Sequence, residues 1–243
     1  MVAAVGDAVR RVALAAANEG VDAFSNVLLS VWIAKHVAPP LFGDFAVTYA
    51  ILPVGLIICR ALASTPMLIV FSAREGEPRL ALVGDYSAPL AATALVGAVL
   101  AVVYAVVGVI AGGNLSVCCY AFAVFSPALL LQDCYIYIFY QRRAPGRALV
   151  NNFVWLAVQV VLFVFAVPRL PSGWRHQAWP YVSLWGVAAL VAVVVSGFMG
   201  GGWPARCDVR QWFVEHRRLS RALATEEGAR QAAQQAVVWI VAR

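Results

Sequence analysis

Six long apolar runs, separated by short connections that contain most of the arginines, constrain the fold of this chain more than any other feature. A helix needs about 20 residues to cross the hydrocarbon layer of a bilayer. Proline and glycine stand between the runs, where helices are expected to end. The runs cover residues 13–37, 45–71, 88–111, 115–140, 149–167 and 179–199.

The composition excludes an ordinary water-soluble protein. Hydrophobic residues make up 63% of the chain and charged residues only 12%, whereas a soluble domain has roughly 25% charged residues. We therefore expect an all-α, polytopic transmembrane helix bundle with the lipid bilayer as its solvent. The net charge of +6 does not indicate nucleic acid as a partner, because the basic residues are scattered between the apolar runs.

Arginine is concentrated in alternate connections, which predicts the orientation of the bundle. Cytoplasmic connections are enriched in Lys and Arg, so the arginine-rich side is expected to be the cytoplasm. The chain is then a multi-pass protein of the plasma (inner) membrane with a cytoplasmic N-terminus. The residues on that side are Arg10, Arg11, Arg74, Arg79, Arg142, Arg143, Arg147, Arg206, Arg210, Arg217, Arg218, Arg221 and Arg230.

Three regions follow from this pattern: a six-helix transmembrane lobe over residues 1–203, a basic cytoplasmic linker over 204–228, and the start of a seventh span over 229–243. In the linker, the spacing of Trp212, Phe213, Leu219 and Leu223 suits a helix that rests on the inner membrane surface. The last region offers fewer than the roughly 20 residues of a complete span. The chain is therefore expected to stop inside that seventh span.

Ionisable and amide side chains inside the spans are the candidates for function, because they are costly in lipid. Glu19, Asp22, Asn26 and Ser30 follow one another at three or four residues, so they share one face of the first helix. Arg60 stands at comparable depth in the second span. Because a short connection joins these two spans, we expect them to be neighbours and Arg60 to pair with Glu19 or Asp22.

The fourth and fifth spans add further polar groups, which we expect to line one hydrated cavity with those of the first two. Structural ion pairs and interhelical hydrogen bonds are the alternative interpretation of each residue, and Asp133 could also extend to the inner interface. The candidate substrate- or ion-binding residues are Arg60, Asp22, Glu19, Asn26, Asp133 and Gln159.

Catalysis and metal binding are not favoured. The five cysteines are mostly inside apolar runs, and the adjacent Cys118 and Cys119 lack nearby partners for a metal site, so we interpret them as helix-packing residues. The chain has three histidines and no recognisable catalytic motif. We expect no enzyme activity, no catalytic residue, no metal and no cofactor, and a membrane-embedded transferase is the less favoured alternative.

Several strings resemble polysaccharide-type flippases of the multidrug/oligosaccharidyl-lipid/polysaccharide exporter superfamily, in particular actinobacterial members. The strongest match is APPLFGDFAVTYA at 38–50, which is similar to the family signature gp-x-x-fG-x-y/f-a. Further similar strings are RALASTPML at 60–68, PALLLQD at 127–133, RALVNNFVW at 147–155 and WFVEHRRL at 212–219. The resemblance covers nearly all of this chain but only the N-terminal lobe of such a transporter.

The resemblance implies transport without chemical change of the substrate. The expected function is the flipping of a lipid-linked saccharide for cell-envelope polysaccharide synthesis, with Arg60 meeting its phosphate. Glu19 and Asp22 depart from an all-cationic cavity, which leaves ion-coupled antiport or pairing with Arg60 open. A second lobe or a homodimer would complete the path. The alternatives are an inactive truncated fragment and a structural or assembly membrane subunit.

Overall fold

The structure, a computed structural model, describes residues 2–73, 86–204 and 209–241, and of residues 2–5, 8, 73 and 227–241 it describes only the backbone. Within those ranges every regular element is helical, which confirms the expected all-α polytopic bundle. Arg74, Arg79, Arg206 and Cys207 lie outside the described residues, as do Gly76 and Pro78 between the second and third apolar runs.

Each predicted span corresponds to one helix or to a series of helices, and the first two begin well before the predicted residues 13 and 45. The first is α1 (Val2–His36), and the second combines α2 (Pro39–Tyr49), α3 (Ile51–Cys59), a π-helical turn (Arg60–Ser64) and α4 (Thr65–Ala73). The third and fourth are α5 (Ser87–Ala111) and α6 (Gly113–Gln141). Next come α7 (Pro145–Phe165), a 3₁₀ turn (Val167–Arg169), the short α8 (Ser172–Arg175), α9 (Trp179–Ser196) with a π-helical end (Gly197–Gly201), and α10 (Val209–Val241).

Five of the six expected spans are long and apolar enough to cross a membrane. They cover Pro39–Ser72, Ser87–Ala111, Gly113–Gln141, Pro145–Arg169 and Trp179–Gly201 among the described residues. Helix α1 has the length but is not among these five, because Glu19, Asp22 and neighbouring polar residues lower its hydropathy. By length and composition alone, five of the six predicted spans qualify as membrane-spanning segments, and α1 does not.

Helix α1 nevertheless packs against the bundle, with one face on the apolar span of α7. The two helices run parallel: Asn18 is hydrogen-bonded to Asn152, Ser25 is hydrogen-bonded to Gln159, and both pairs are 134 positions apart. The opposite side of α1 is apolar and exposed, as in Phe24. A helix with one face against a span and an apolar outer face is suited to lipid.

The prediction that the first two spans are neighbours is met only in part, because Tyr49 of span two donates to Asn26 of α1 but few other contacts join them. Among the described residues, α1 packs chiefly against α7 and only weakly against the helices of span two. The physical reason is the set of matched polar side chains on α1 and α7, which bond to each other away from lipid. Span two packs instead against α5 and α6.

Two glycines at the turn between α5 and α6 reverse the chain. Gly112 and Gly113 have φ values of 66° and 59°, a region that L-residues with a side chain rarely adopt. The two helices then pack antiparallel along their length, and Gly108 lets Cys119 approach so closely that an added Cβ would lie 3.1 Å from its Cβ. This contact supports the interpretation of Cys119 as a packing residue.

Helix α10 differs from the prediction of a helix resting on the membrane surface. Trp212 is 6% exposed and belongs to a buried cluster with Phe71 and Tyr86. The apolar face of α10 is thus used against the bundle. The expected boundary between linker and seventh span, at residues 228 and 229, falls inside this continuous helix.

Candidate functional site

The most unusual contact in the membrane region is an ion pair between span two and α6. Arg60 donates two hydrogen bonds to Asp133, from Nε to Oδ2 at 3.1 Å and from Nη2 to Oδ1 at 2.6 Å. The Asp133 side chain is 10% exposed and the Arg60 side chain 35%. Such two-point contacts between guanidinium and carboxylate fix both orientation and charge. The expected pairing of Arg60 with Glu19 or Asp22 is therefore wrong, since α6 and not α1 supplies the partner.

Both charged groups lie well within their helices. Twelve residues separate Arg60 from Ser72 at the end of its span, or about 18 Å along a helix, and eight separate Asp133 from Gln141, or about 12 Å. Asp133 is held by Arg60 and is 7% exposed as a residue, so it does not extend to the interface. Arg60 also lies over the ring of Tyr137, 5.6 Å from its centroid.

A π-helical turn presents Arg60 to α6. Arg60 begins the turn, and the backbone N–H of Thr65 donates to the carbonyl of Arg60, five residues back. Pro66 follows directly, and a proline ring clashes with the carbonyl four residues before it in a regular α-helix. The wider π turn accommodates this clash. Such π-helical turns are frequent at functional sites. In this sequence, Pro66 is the residue that indicates the turn.

The expected polar face of α1 is present beside this ion pair. Asp22 interacts electrostatically with Asp133, Glu19 and Arg60. Asp22 is half-buried and Glu19 exposed, and within the described part of the chain neither carboxylate accepts a hydrogen bond. Glu19, Asp22, Arg60 and Asp133, hereafter the charged cluster, thus combine three carboxylates with one guanidinium.

Asn26 extends the cluster along α1. Its Nδ2 donates to the carbonyl of Asp22 at 3.0 Å, and its Oδ1 accepts from the hydroxyl of Tyr49 at 3.3 Å. Tyr49 belongs to span two, so this hydrogen bond joins the two sides of the cluster. Asn26 is half-buried.

Gln159 occupies a different place from the other candidates. It is fully buried, its Oε1 accepts from the Ser25 hydroxyl at 2.5 Å, and its Nε2 donates to the Ser25 carbonyl at 3.2 Å. Two helical turns away, Asn152 donates to Asn18 Oδ1 at 3.0 Å. We call these four residues the polar seam; in it Gln159 serves helix association.

Sequence reasoning missed four contributors to these sites, which are Asn18, Ser25, Tyr49 and Tyr137. Asn18 and Ser25 lie seven residues apart, as do Asn152 and Gln159, and this matched spacing was the available signal for a parallel helix pair. The ring of Tyr137 carries no comparable signal, because its role depends on the side-chain position of Arg60. Among the described residues, no three His, Cys, Asp or Glu side chains come together as metal donors.

Comparisons with known proteins give no match: no family model matches the chain, and no curated protein or solved structure does so significantly. Membership of the flippase family thus stays a prediction. The charged cluster is the feature from which a function can be inferred.

Proposed function

We propose that this membrane protein is a transporter, most concretely a flippase that moves a lipid-linked saccharide to the outer leaflet during synthesis of cell-envelope polysaccharide. One observation carries the proposal: a guanidinium paired with a carboxylate at membrane depth keeps about a third of its side chain exposed. Ionisable groups at such depth are costly and usually mark a substrate or ion path.

Arg60 has the donors that a phosphate requires. A guanidinium has five N–H donors, and Asp133 accepts two of them. Within the described part of the chain the remaining donors have no hydrogen-bond partner, so they could bind a phosphate oxygen while Asp133 holds the side chain in place. Guanidinium groups suit phosphate because their N–H groups match its oxygens. Asp133 therefore fixes the orientation of the guanidinium that would bind the phosphate.

The acidic side of the charged cluster suits the other requirements of transport. Glu19, Asp22 and Asn26 offer acceptors and a donor for saccharide hydroxyls, and the two carboxylates can also take up a cation or proton in exchange. The apolar outer surface, which includes Val109 and Ile110, lets the lipid tail remain in the bilayer. No bond of the substrate is made or broken in this scheme.

Alternating access requires a second body that moves against this bundle. A second lobe on another chain, or a second copy of this chain, is the proposed partner, and it would face the weakly packed side between α1 and span two. The similarity of residues 38–50 to the flippase signature supports this arrangement. An assembly subunit is the rival function, and it predicts no role for Arg60.

The proposed membrane is the plasma membrane, with the N-terminus and the 142–147 connection in the cytoplasm. A cysteine at Arg143 and another at Ser172, each introduced into a chain without its native cysteines, test this orientation. An impermeant maleimide applied to intact cells should label Ser172→Cys and leave Arg143→Cys unlabelled until the cells are opened. The reverse pattern would contradict the proposed orientation.

The function is tested by complementation of a cell that lacks its polysaccharide flippase, with surface glycan as the readout and with a candidate second lobe supplied or omitted. Arg60→Ala should abolish restoration at equal membrane abundance. Arg169→Ala is the matched control, because it removes an exposed arginine outside the cluster. Restoration by Arg60→Ala at the wild-type level would refute a substrate role for Arg60. If the wild-type chain restores no surface glycan, whether the second lobe is supplied or omitted, the assembly role is favoured.

A further inference from the structure

A proline in span two removes a backbone donor next to the π-helical turn. Pro66 stands four residues after Leu62 and has no N–H to give to the Leu62 carbonyl in an α-helical pattern. In lipid, an unsatisfied backbone carbonyl is costly, because no water is present to replace the lost hydrogen bond. Helices that contain proline in membranes are therefore stabilised by donors from neighbouring elements.

Trp212 of α10 supplies that donor. Its Nε1–H donates to the Leu62 carbonyl at 3.1 Å. The indole is 6% exposed, meets the edge of Phe71 with 6.5 Å between centroids, and lies 4.2 Å from the ring of His216. These contacts hold the indole in one orientation, with its polar edge towards span two.

Leu62 lies in the same π-helical turn as Arg60. Among the described residues, two side-chain hydrogen-bonded contacts attach this turn to other helices: Arg60 binds Asp133 on α6, and the Leu62 carbonyl accepts from Trp212 on α10. We propose that Trp212 is a positioning residue, which holds the π turn in the geometry that presents Arg60 to Asp133. Helix α10 then couples the segment that follows the bundle to the charged cluster, and displacement of α10 releases the Arg60 turn.

This inference rests on the proposed function in one respect only, which is that the charged cluster binds the substrate. The geometry itself can be read without any substrate, through the native cysteines. Cys59 precedes Arg60 and Cys134 follows Asp133, and both are buried. Cys118 and Cys119 are also buried, but they lie near the other end of α6 and report on the bundle as a whole.

The experiment measures the labelling rate of each native cysteine by a small membrane-permeant maleimide in the full chain with Cys207→Ser, resolved by peptide mass spectrometry. Trp212→Phe keeps an aromatic ring and removes the donor. Loss of one hydrogen bond, worth about 1 kcal/mol, should raise labelling of Cys59 and Cys134 about fivefold. Cys118 and Cys119 should label at their original rates. Trp203→Phe, at an exposed tryptophan, is the matched control and should change none of the four.

A second background separates positioning from general loosening. In Pro66→Ala, residue 66 regains an N–H that can serve the Leu62 carbonyl, so Trp212→Phe should raise labelling less than twofold there, compared with about fivefold in the native background. An equal ratio in both backgrounds, a rise at all four cysteines, or no rise at Cys59 and Cys134 would each overturn the proposal. None of these results depends on transport, so the proposal can fail while the proposed function stands.

Discussion

The ion pair between Arg60 and Asp133 should show unequal costs when either partner is removed. Arg60→Met and Asp133→Leu each replace a charged side chain by an apolar one, and the double variant removes the pair altogether. The carboxylate is 10% exposed and the guanidinium 35%. Arg60→Met therefore leaves an almost fully buried carboxylate without a partner, while Asp133→Leu leaves a guanidinium that water can still reach.

The exposures give the expected order of the free energies of unfolding. Removing one partner of a buried pair costs roughly 3 to 5 kcal/mol, and we place Arg60→Met at the lower end, about 3 kcal/mol. Asp133→Leu should cost about 1.5 kcal/mol, because solvent compensates the exposed part of Arg60. The double variant should also cost about 1.5 kcal/mol, since an apolar replacement of the pair leaves no uncompensated charge.

The assay is a double-mutant cycle on reversible unfolding in lipid–detergent mixtures, followed by circular dichroism. The three values correspond to a coupling of about 3 kcal/mol between the two residues. Asp133→Leu together with Ser116→Ala, at a position far along α6, is the control cycle and should show additive costs. A coupling below about 0.5 kcal/mol for the pair, or a larger cost for Asp133→Leu than for Arg60→Met, would refute the reasoning.

Two further predictions concern helix packing. In a thermal unfolding assay, Gly97→Ala should destabilise the protein by about 2 kcal/mol, because the new Cβ would lie 2.6 Å from the Cα of Pro127 and backbone cannot move aside at low cost. Gly43→Ala is the control, since an added Cβ there meets nothing within 4 Å, and it should be neutral or slightly stabilising. Ser25→Ala should cost about 1 to 2 kcal/mol, since it leaves the buried Gln159 oxygen without its donor, and Ser25→Ala with Gln159→Leu should recover most of that loss; a larger loss in the double variant would contradict the seam.

The span pattern was predictable because apolar length and punctuation are local properties. The run at 115–140 became α6 (Gly113–Gln141) and the run at 179–199 became α9 and its π-helical end. Helix α1 was harder, because its polar residues lower its hydropathy below that of a span. Its place beside α7 depends on side chains more than a hundred residues apart in the chain.

The candidate residues were found because charge inside an apolar run is visible in the sequence, but their partners were not. Glu19, Asp22, Asn26, Arg60 and Asp133 do come together around one cluster. The partner of Arg60 was mistaken because closeness in the chain was used as a guide to closeness in space. Gln159 was assigned to that cavity, whereas its amide is occupied by Ser25 in the polar seam.

The sequence by itself determined that this chain needs a bilayer, which segments are apolar enough to span it, and which side chains are too costly to face lipid, because each of these follows from the composition of one continuous segment. Only the tertiary structure decided that Asp133 receives Arg60, that α1 lies parallel to α7, and that Trp212 reaches the Leu62 carbonyl. These contacts depend on how whole helices pack, and a buried polar group bonds to whichever partner that packing brings within about 3 Å.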